Sequence, residues 1–105
     1  MYKPSNVDEY MELISQTIFE IHDLILCAED EGDGDMEFST MMPDLRKIEA
    51  GLHALQAEIE AGNYAVGRGQ DLPFMTVVQK VRQRLPIAIL VDGINITHKK
   101  GFARD

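Results

Sequence analysis

The sequence predicts an all-α fold, a small four-helix bundle that forms a single domain over residues 1–105. Two long stretches carry apolar residues at alternating steps of three and four, which is the spacing of one buried helix face. Acidic and glycine-rich breaks separate the helical stretches from one another. The chain is long enough to bury one hydrophobic core but not two. We therefore expect a long antiparallel helical hairpin that is covered by two shorter helices.

The first helix is predicted over residues 6–30. Ser5 or Asn6 is expected to cap it, and Ser5 with Asp8 matches a capping-box pattern. Two neighbouring apolar stripes make the buried face broad, so this helix needs more than one neighbour. The stripes are Val7, Met11, Ile14, Ile18, Ile21, Ile25 and Ala28, and beside them Tyr10, Leu13, Thr17, Leu24 and Cys27.

The second helix is predicted over residues 40–61, after an acidic turn at 31–37 that makes it an antiparallel neighbour of the first. Proline is tolerated only early in a helix, so the helix proper is expected to start at Met42 or Pro43. Gly62 is expected to end it as a left-handed cap. The apolar stripe of this helix comprises Leu45, Ile48, Leu52, Leu55 and Ile59.

A glycine-rich loop is expected over residues 62–71, and a third helix over 72–85 with Pro73 in its first turn. The inward side chains of this helix should be Phe74, Val77, Val78, Val81 and Leu85.

The last segment, 86–100, has two interpretations. Its apolar residues alternate around Asp92 and Gly93, a pattern that is typical of a β-hairpin. The same residues form a helical stripe, and Gly101 follows two lysines as a helix ending would require. We prefer the helix, because an isolated two-stranded hairpin is marginal in water.

Cysteine usage favours a cytoplasmic protein, because the single Cys27 cannot form an internal disulfide. Cys27 lies on an apolar stripe and is expected to be a small core residue. The first residues lack the apolar region of a secretory signal, and no apolar run approaches the roughly 18–20 residues of a membrane span.

Charge is divided unequally along the chain. Residues 1–62 hold three basic and fifteen acidic side chains, a net charge of −12, whereas residues 63–105 hold seven and three, a net charge of +4. We expect the two halves to complement each other, either within one fold or between two copies of the chain.

The acidic turn offers weak metal candidates in Asp33, Asp35 and Glu37. An EF-hand loop that begins at Asp33 would need glycine at its sixth position, where this chain has Phe38. A solvated acidic turn is therefore the preferred interpretation, and a weak cation site is the alternative. None of the three histidines follows a glutamate at the Glu-x-x-His spacing of metal sites in helical bundles, so no cofactor is expected.

Enzymatic activity has no support from a nucleophile–base pair or a phosphate-binding motif, and no small-molecule substrate is evident. The predicted function is that of a small cytoplasmic protein–protein interaction or regulatory protein that can self-associate. A weak metal-binding protein is an alternative, and so is a nucleic-acid-associated regulator, although the net charge of −8 opposes nucleic-acid binding. The predicted interaction surface combines methionine-rich and basic residues: Met36, Phe38, Met41, Met42, Lys80, Arg82 and Arg84.

Overall fold

The computed structural model describes residues 3–30 and 36–102, with side chains described for 3–27 and 41–102. The helices are α1 (Val7–Asp30), α2 (Met36–Glu60), α3 (Met75–Val81) and α4 (Ala88–Lys100), and a 3-10 turn spans Arg82–Arg84. No strand occurs within these described ranges, so the predicted all-α bundle is confirmed. The helical interpretation of the last segment is also confirmed, because Asp92 and Gly93 lie inside α4.

The start of α1 is fixed by side chains on either side of its first turn. The Asn6 Oδ1 accepts a hydrogen bond of 2.9 Å from the backbone N–H of Glu9. In return, the Glu9 carboxylate accepts hydrogen bonds from the backbone N–H and the hydroxyl of Ser5, at 2.9 and 2.7 Å. Asn6 is therefore the cap, and Glu9 rather than Asp8 completes the reciprocal pair. The Ser5 backbone N–H lowers the pKa of Glu9 because it stabilises the charged form.

The buried face of α1 runs between the two predicted stripes and not along either one. Its fully or nearly fully buried residues are Tyr10, Leu13, Ile14, Thr17, Ile21 and Ile25. The outer edge of each stripe therefore reaches solvent. Val7 is 47% exposed, and Cys27 is exposed, so its predicted place in the core is wrong. The hydroxyl of the buried Thr17 is satisfied by the Leu13 carbonyl at 2.7 Å.

The α2 helix starts at Met36, earlier than the predicted Met42 or Pro43. Pro43 therefore lies inside the helix, where proline costs about 3 kcal/mol. Met41 and Leu45, on either side of it, are both buried in the core. The predicted acidic turn at 31–37 is too long, because residues 36 and 37 belong to α2, while residues 31–35 lie outside the described part.

The predicted end of α2 at Gly62 is confirmed in detail. Gly62 has a φ of +77°, in the left-handed region that favours glycine. Its N–H donates to the Ile59 carbonyl at 3.0 Å, and the N–H of Asn63 donates to the Glu58 carbonyl at 3.2 Å. These two bonds satisfy carbonyls at the helix end in the Schellman arrangement.

The same Leu-Pro turn opens both short helices. The N–H of Met75 donates to the Leu72 carbonyl at 3.0 Å, and the N–H of Ala88 donates to the Leu85 carbonyl at 3.1 Å. A proline at the second position suits such a turn because its φ is preset. The helices therefore begin at Met75 and Ala88, later than the predicted residues 72 and 86.

Pro86 also explains why α3 ends earlier than the predicted residue 85. The residue before a proline avoids the helical region, and Leu85 is extended with φ −104° and ψ 101°. The helix therefore stops at Val81 and tightens into the 3-10 turn before it reaches the proline.

The four helices share one hydrophobic core, in which α1 packs along α2 and α4 packs on α1. The α1–α2 pair is antiparallel, because Ser15 contacts Gln56 while His22, further along α1, contacts Glu49. The α3 helix packs on α2, and Gly51 of α2 leaves room for the ring of Phe74.

Candidate functional site

A cleft of about 520 Å³ lies between α2, the segment 61–74 and the end of α4, and we call it the α2 cleft. Its volume is within the range of roughly 300–1,000 Å³ that is typical of small-molecule sites. Its apolar lining comprises Gly51, Ala54, Leu55, Leu72, Pro73, Phe74 and Val77. Its polar lining comprises Lys47, Glu58, Tyr64, Arg68, Gln70, Asp71 and His98.

The α2 wall of the cleft depends on the absence of a side chain at Gly51. A Cβ atom at this position would lie 2.4 Å from Cδ1 of Phe74, closer than real Cβ contacts allow. Phe74 is buried directly before α3, and the absence of a side chain at Gly51 leaves room for its ring against α2. Both residues line the cleft at this point.

The segment 61–74 is held to the end of α4 by backbone hydrogen bonds. The N–H groups of Gly67 and Arg68 both donate to the His98 carbonyl at 2.9 Å, and that of Gly69 donates to the Lys99 carbonyl at 3.0 Å. These bonds satisfy carbonyls that a helix end leaves without partners. Gly67 and Gly69 have φ values of +79° and +76°, which only glycine adopts without strain.

Asn95 on α4 provides a second attachment for the same segment. Its Oδ1 accepts a hydrogen bond from the backbone N–H of Leu72 at 2.8 Å, and its Nδ2 donates to Oδ1 of Asp71 at 2.9 Å. The Lys99 ammonium lies 3.3 Å from the same carboxylate. The hydrogen bond from the Asn95 amide lowers the pKa of Asp71 most, and Lys99 lowers it further, because both stabilise the charged carboxylate.

Three aromatic side chains from three parts of the chain form a hydrogen-bonded row beside the cleft. The hydroxyls of Tyr10 and Tyr64 are 3.1 Å apart, and the Tyr64 hydroxyl is 2.5 Å from Nδ1 of His98. The Tyr10 hydroxyl also donates to the Ile94 carbonyl at 3.2 Å. The rings stack as well, with centroids 6.0 Å apart for the two tyrosines and 5.6 Å apart for Tyr64 and His98.

The pKa of each member of the row is shifted from its ordinary value, mainly by burial. Burial raises the pKa of both Tyr10 and Tyr64, so both hydroxyls keep their protons near neutral pH. Burial, with the nearby charge of Arg68, lowers the pKa of His98, so its imidazole is neutral there. The Arg68 guanidinium lies 5.0 Å from the centre of the Tyr64 ring, which it covers. Shifted pKa values of this kind cluster at functional sites.

In the methionine-rich part of the predicted interaction surface, the structure describes the side chains of Met41 and Met42. Met41 is only 4% exposed, so its predicted place in an exposed patch is wrong, because it fills the core beside Pro43. Met42 is half-buried against the same core. Met36 and Phe38 lie in α2, but their side chains are outside the described part.

The predicted metal candidates lie in a part of the chain for which the structure describes no side chains. Asp33 and Asp35 lie outside the described residues, and the side chain of Glu37 is not described. Among the residues that are described, no three metal-ligating side chains come together.

The basic part of the predicted surface surrounds a second depression of about 650 Å³, which we call the basic hollow. Its lining comprises Met41, Asp44, Gln79, Lys80, Val81, Arg82, Gln83 and Arg84. The structure thus brings together four of the seven residues predicted for the interaction surface.

Much of the charge around the basic hollow is paired within the chain. The Lys80 ammonium lies 3.4 Å from the Asp44 carboxylate and so joins the basic and acidic halves of the chain. Arg82 makes two parallel hydrogen bonds of 2.7 Å to the Asp92 carboxylate. Arg84 is exposed.

Sequence reasoning missed the α2 cleft. His98 was considered only as one of three histidines without the spacing of a metal site, and the Gly67–Gly69 region only as part of a glycine-rich loop. Tyr64 and Asn95 gave no local signal, because their partners lie 23 to 54 residues away in the chain. Only the two glycines, which permit left-handed turns, hinted that this loop has a fixed path.

No protein-family model, curated protein or solved structure gives a significant match to this chain. Within residues 3–30 and 36–102, no helix combines the length and the apolarity that crossing a bilayer requires.

Proposed function

We propose that this chain is a small cytoplasmic regulatory protein that acts by binding, and that it binds a small organic molecule in the α2 cleft. The observation that carries the proposal is a space of about 520 Å³ with apolar walls and a few converging polar groups. Small-molecule sites generally combine these properties. The cytoplasmic location rests on the cysteine usage of the chain.

The attachment of segment 61–74 to α4 supports this proposal. Its hydrogen bonds to the carbonyls of His98 and Lys99 and to the Asn95 side chain hold one wall of the cleft in place without a ligand. A site that is formed before binding loses less conformational entropy when the ligand enters.

An NMR titration with p-xylene, an apolar probe without hydrogen-bonding groups, tests the proposal. We expect p-xylene to shift the backbone amide resonances of Ala54, Leu55 and Phe74 and to leave those of the basic hollow unchanged. The matched variants are Ala54→Trp, which places a large side chain in the cleft, and Ala57→Trp, which places it elsewhere on the exposed surface of α2.

Binding should be lost in Ala54→Trp and kept in Ala57→Trp. The proposal is wrong if p-xylene leaves the cleft resonances unchanged in the native protein. It is also wrong if both tryptophan variants bind p-xylene as the native chain does.

Self-association through the basic hollow is a second candidate, favoured by the exposed side chains of Lys80 and Arg84 around one depression. Its occupant is the solvent-facing side of α1 in a second copy, where Glu12 and Asp23 are exposed. Opposite charges on the two surfaces steer such an encounter and make it sensitive to salt.

Sedimentation equilibrium at low and high salt tests this second candidate. A dimer that weakens with salt, and that Lys80→Gln with Arg84→Gln abolishes, supports it. Lys100→Gln, an exposed lysine away from the hollow, is the matched control and should leave the dimer unchanged. A monomer at every salt concentration would exclude it.

A further inference from the structure

The hydrogen-bonded row of Tyr10, Tyr64 and His98 determines where its protons lie. A carbonyl oxygen can only accept, so the 3.2 Å contact with Ile94 uses the proton of the Tyr10 hydroxyl. The 3.1 Å contact between the tyrosines must then use the proton of Tyr64. The remaining contact, between Tyr64 and Nδ1 of His98, needs a proton from Nδ1.

The opposite order of donors does not satisfy all three contacts. If Tyr10 donated to Tyr64 and Tyr64 to His98, no proton would lie between the Tyr10 oxygen and the Ile94 carbonyl oxygen. Two acceptors would then face each other at 3.2 Å beside the buried core. Each of the three contacts has a proton of its own only when Nδ1 of His98 carries a hydrogen. A neutral His98 in this tautomer has a free lone pair on Nε2.

The Nε2 atom of His98, a residue that lines the α2 cleft, is accessible to solvent. His98 lines this cleft, and its Nε2 makes no hydrogen bond to another described residue. No buried polar side-chain atom in the described part lacks a partner, so Nε2 is in contact with solvent and not enclosed. The cleft therefore presents a fixed hydrogen-bond acceptor at the end of a buried row.

The remaining lining favours a neutral, apolar ligand body. The side walls are formed by Leu55, Leu72 and Phe74, which offer no hydrogen bonds from their side chains. The charged lining contains two cations and two anions, and these are Lys47, Arg68, Glu58 and Asp71. Their charges cancel, so the cleft has no net charge that would select an ionised ligand.

We propose that the α2 cleft selects a neutral, compact apolar molecule that carries one hydrogen-bond donor, such as a phenol or an indole, and that Nε2 of His98 accepts this hydrogen bond. The inference rests on the proposed function, because it specifies which small molecules the cleft binds. Tyr64 is a positioning residue in this account, since it accepts the Nδ1 proton and thereby leaves Nε2 free.

The direct test compares p-cresol with p-xylene, which differ only by a hydroxyl in place of a methyl group. We expect p-cresol to bind about 3- to 10-fold more tightly, the gain that one added hydrogen bond provides. Equal or tighter binding of p-xylene would overturn the inference while leaving the cleft as a binding site. If neither probe shifted the cleft resonances, the proposed function would fail as well.

The histidine tautomer can be measured without any ligand. Long-range ¹H–¹⁵N correlation spectra at pH 7.5 should show the Nδ1–H form of His98 in the native protein, and an Nε2–H form would overturn the inference. In Tyr64→Phe the ring remains but the acceptor for Nδ1–H is lost. The preference for p-cresol over p-xylene, measured as the ratio of the two affinities in the same variant, should then fall.

The Glu58 carboxylate is another acceptor in the cleft, and Glu58→Met, which removes both of its oxygens, is the control for it. The p-cresol preference should persist in Glu58→Met, and its loss there would assign the hydrogen bond to Glu58. The preference should also disappear in acid as His98 becomes protonated. Arg68 opposes this protonation, whereas Glu58 and Asp71 favour it.

A phenol can belong to a free molecule or to a tyrosine side chain of a protein. N-acetyl-L-tyrosinamide carries the same phenol on a peptide-like backbone and so separates the two sources. Weaker binding of this compound than of p-cresol supports a free small molecule. Tighter binding would overturn that source in favour of a protein partner.

Discussion

The α2 cleft and the basic hollow have similar volumes, about 520 and 650 Å³, but their polar groups are arranged in opposite ways. In the hollow, Lys80 and Arg82 are paired with carboxylates of the same chain. In the cleft, the polar row of Tyr10, Tyr64 and His98 ends at a ring nitrogen that has no partner in the described part of the chain. Volume alone therefore does not distinguish the two regions. What distinguishes the cleft is that His98, which is only 7% exposed, has a ring nitrogen without a partner in the described part of the chain.

Closing the cleft by adding one methyl group should have the largest effect on stability. Gly51→Ala places a Cβ against the Phe74 ring, and we expect it to lower the free energy of unfolding by about 1–3 kcal/mol, as overpacking does. Urea denaturation measures this change, and the p-xylene titration measures the loss of the cleft.

The double variant Gly51→Ala, Phe74→Ala is the control for this clash. Compared with Phe74→Ala alone, the double variant should lose no stability, and the alanine can stabilise α2 by up to about 1 kcal/mol through its helix propensity. An equal cost of Gly51→Ala with and without the Phe74 ring would contradict the account of the cleft wall.

Removing the middle hydroxyl of the row should have the next largest effect. Tyr64→Phe leaves the His98 Nδ1–H without its acceptor, and we expect the free energy of unfolding to fall by about 1 kcal/mol. The matched variant in the basic hollow is Arg84→Gln, and because Arg84 is exposed we expect its free energy of unfolding to change by no more than about 0.5 kcal/mol. Equal losses in the two variants would remove the distinction between the two regions.

Breaking the ion pair beside the hollow should have a smaller effect that depends on salt. Arg82 and Asp92 are each 35% exposed, so water screens their attraction, and we expect Asp92→Asn to cost about 0.2–1 kcal/mol. The loss should shrink in 1 M salt, where exposed charges are screened over about 3 Å. A loss that is independent of salt would mean that packing, and not charge, holds the two side chains together.

The pH dependence of stability tests the environment of His98 beside the cleft. Burial holds the pKa of His98 in the folded chain below its ordinary value of 6.5. The unfolded chain therefore takes up the proton first, and this contribution to stability is complete above pH 6.5 and is lost as the pH falls toward the folded-state pKa.

Urea denaturation at pH 7.5 and pH 5.5 should show this loss in the native protein and a smaller loss in His98→Gln. The matched control is His53→Gln, an exposed histidine on α2, which should retain the native pH dependence. An unchanged pH dependence in His98→Gln would show that another group is responsible.

The helices were predictable from the sequence because their signals are local. The apolar spacing of α1 and α2 and the cap at Gly62 each depend on neighbouring residues. The starts of α3 and α4 were placed too early because a Leu-Pro turn precedes each helix, and the pattern of apolar residues does not distinguish that turn from a first helical turn.

The cleft was not predictable because distant residues build it. The bond between Tyr10 and the Ile94 carbonyl spans 84 residues, and that between Tyr64 and His98 spans 34. The basic residues 80, 82 and 84 could be identified from the sequence as a candidate surface. The pairing of Arg82 with Asp92 could not, because it depends on the turn at Pro86 that brings the two residues together.

Amide hydrogen exchange of segment 61–74 tests most directly whether the α2 cleft exists before a ligand binds. The N–H groups of Gly67 and Arg68 donate to the His98 carbonyl, and that of Leu72 donates to the Asn95 side chain. We predict that these three amides exchange slowly in the free protein and faster in Asn95→Ala. Exchange of all three at the rate of an unfolded peptide would contradict a preformed cleft, and with it the distinction between the two regions.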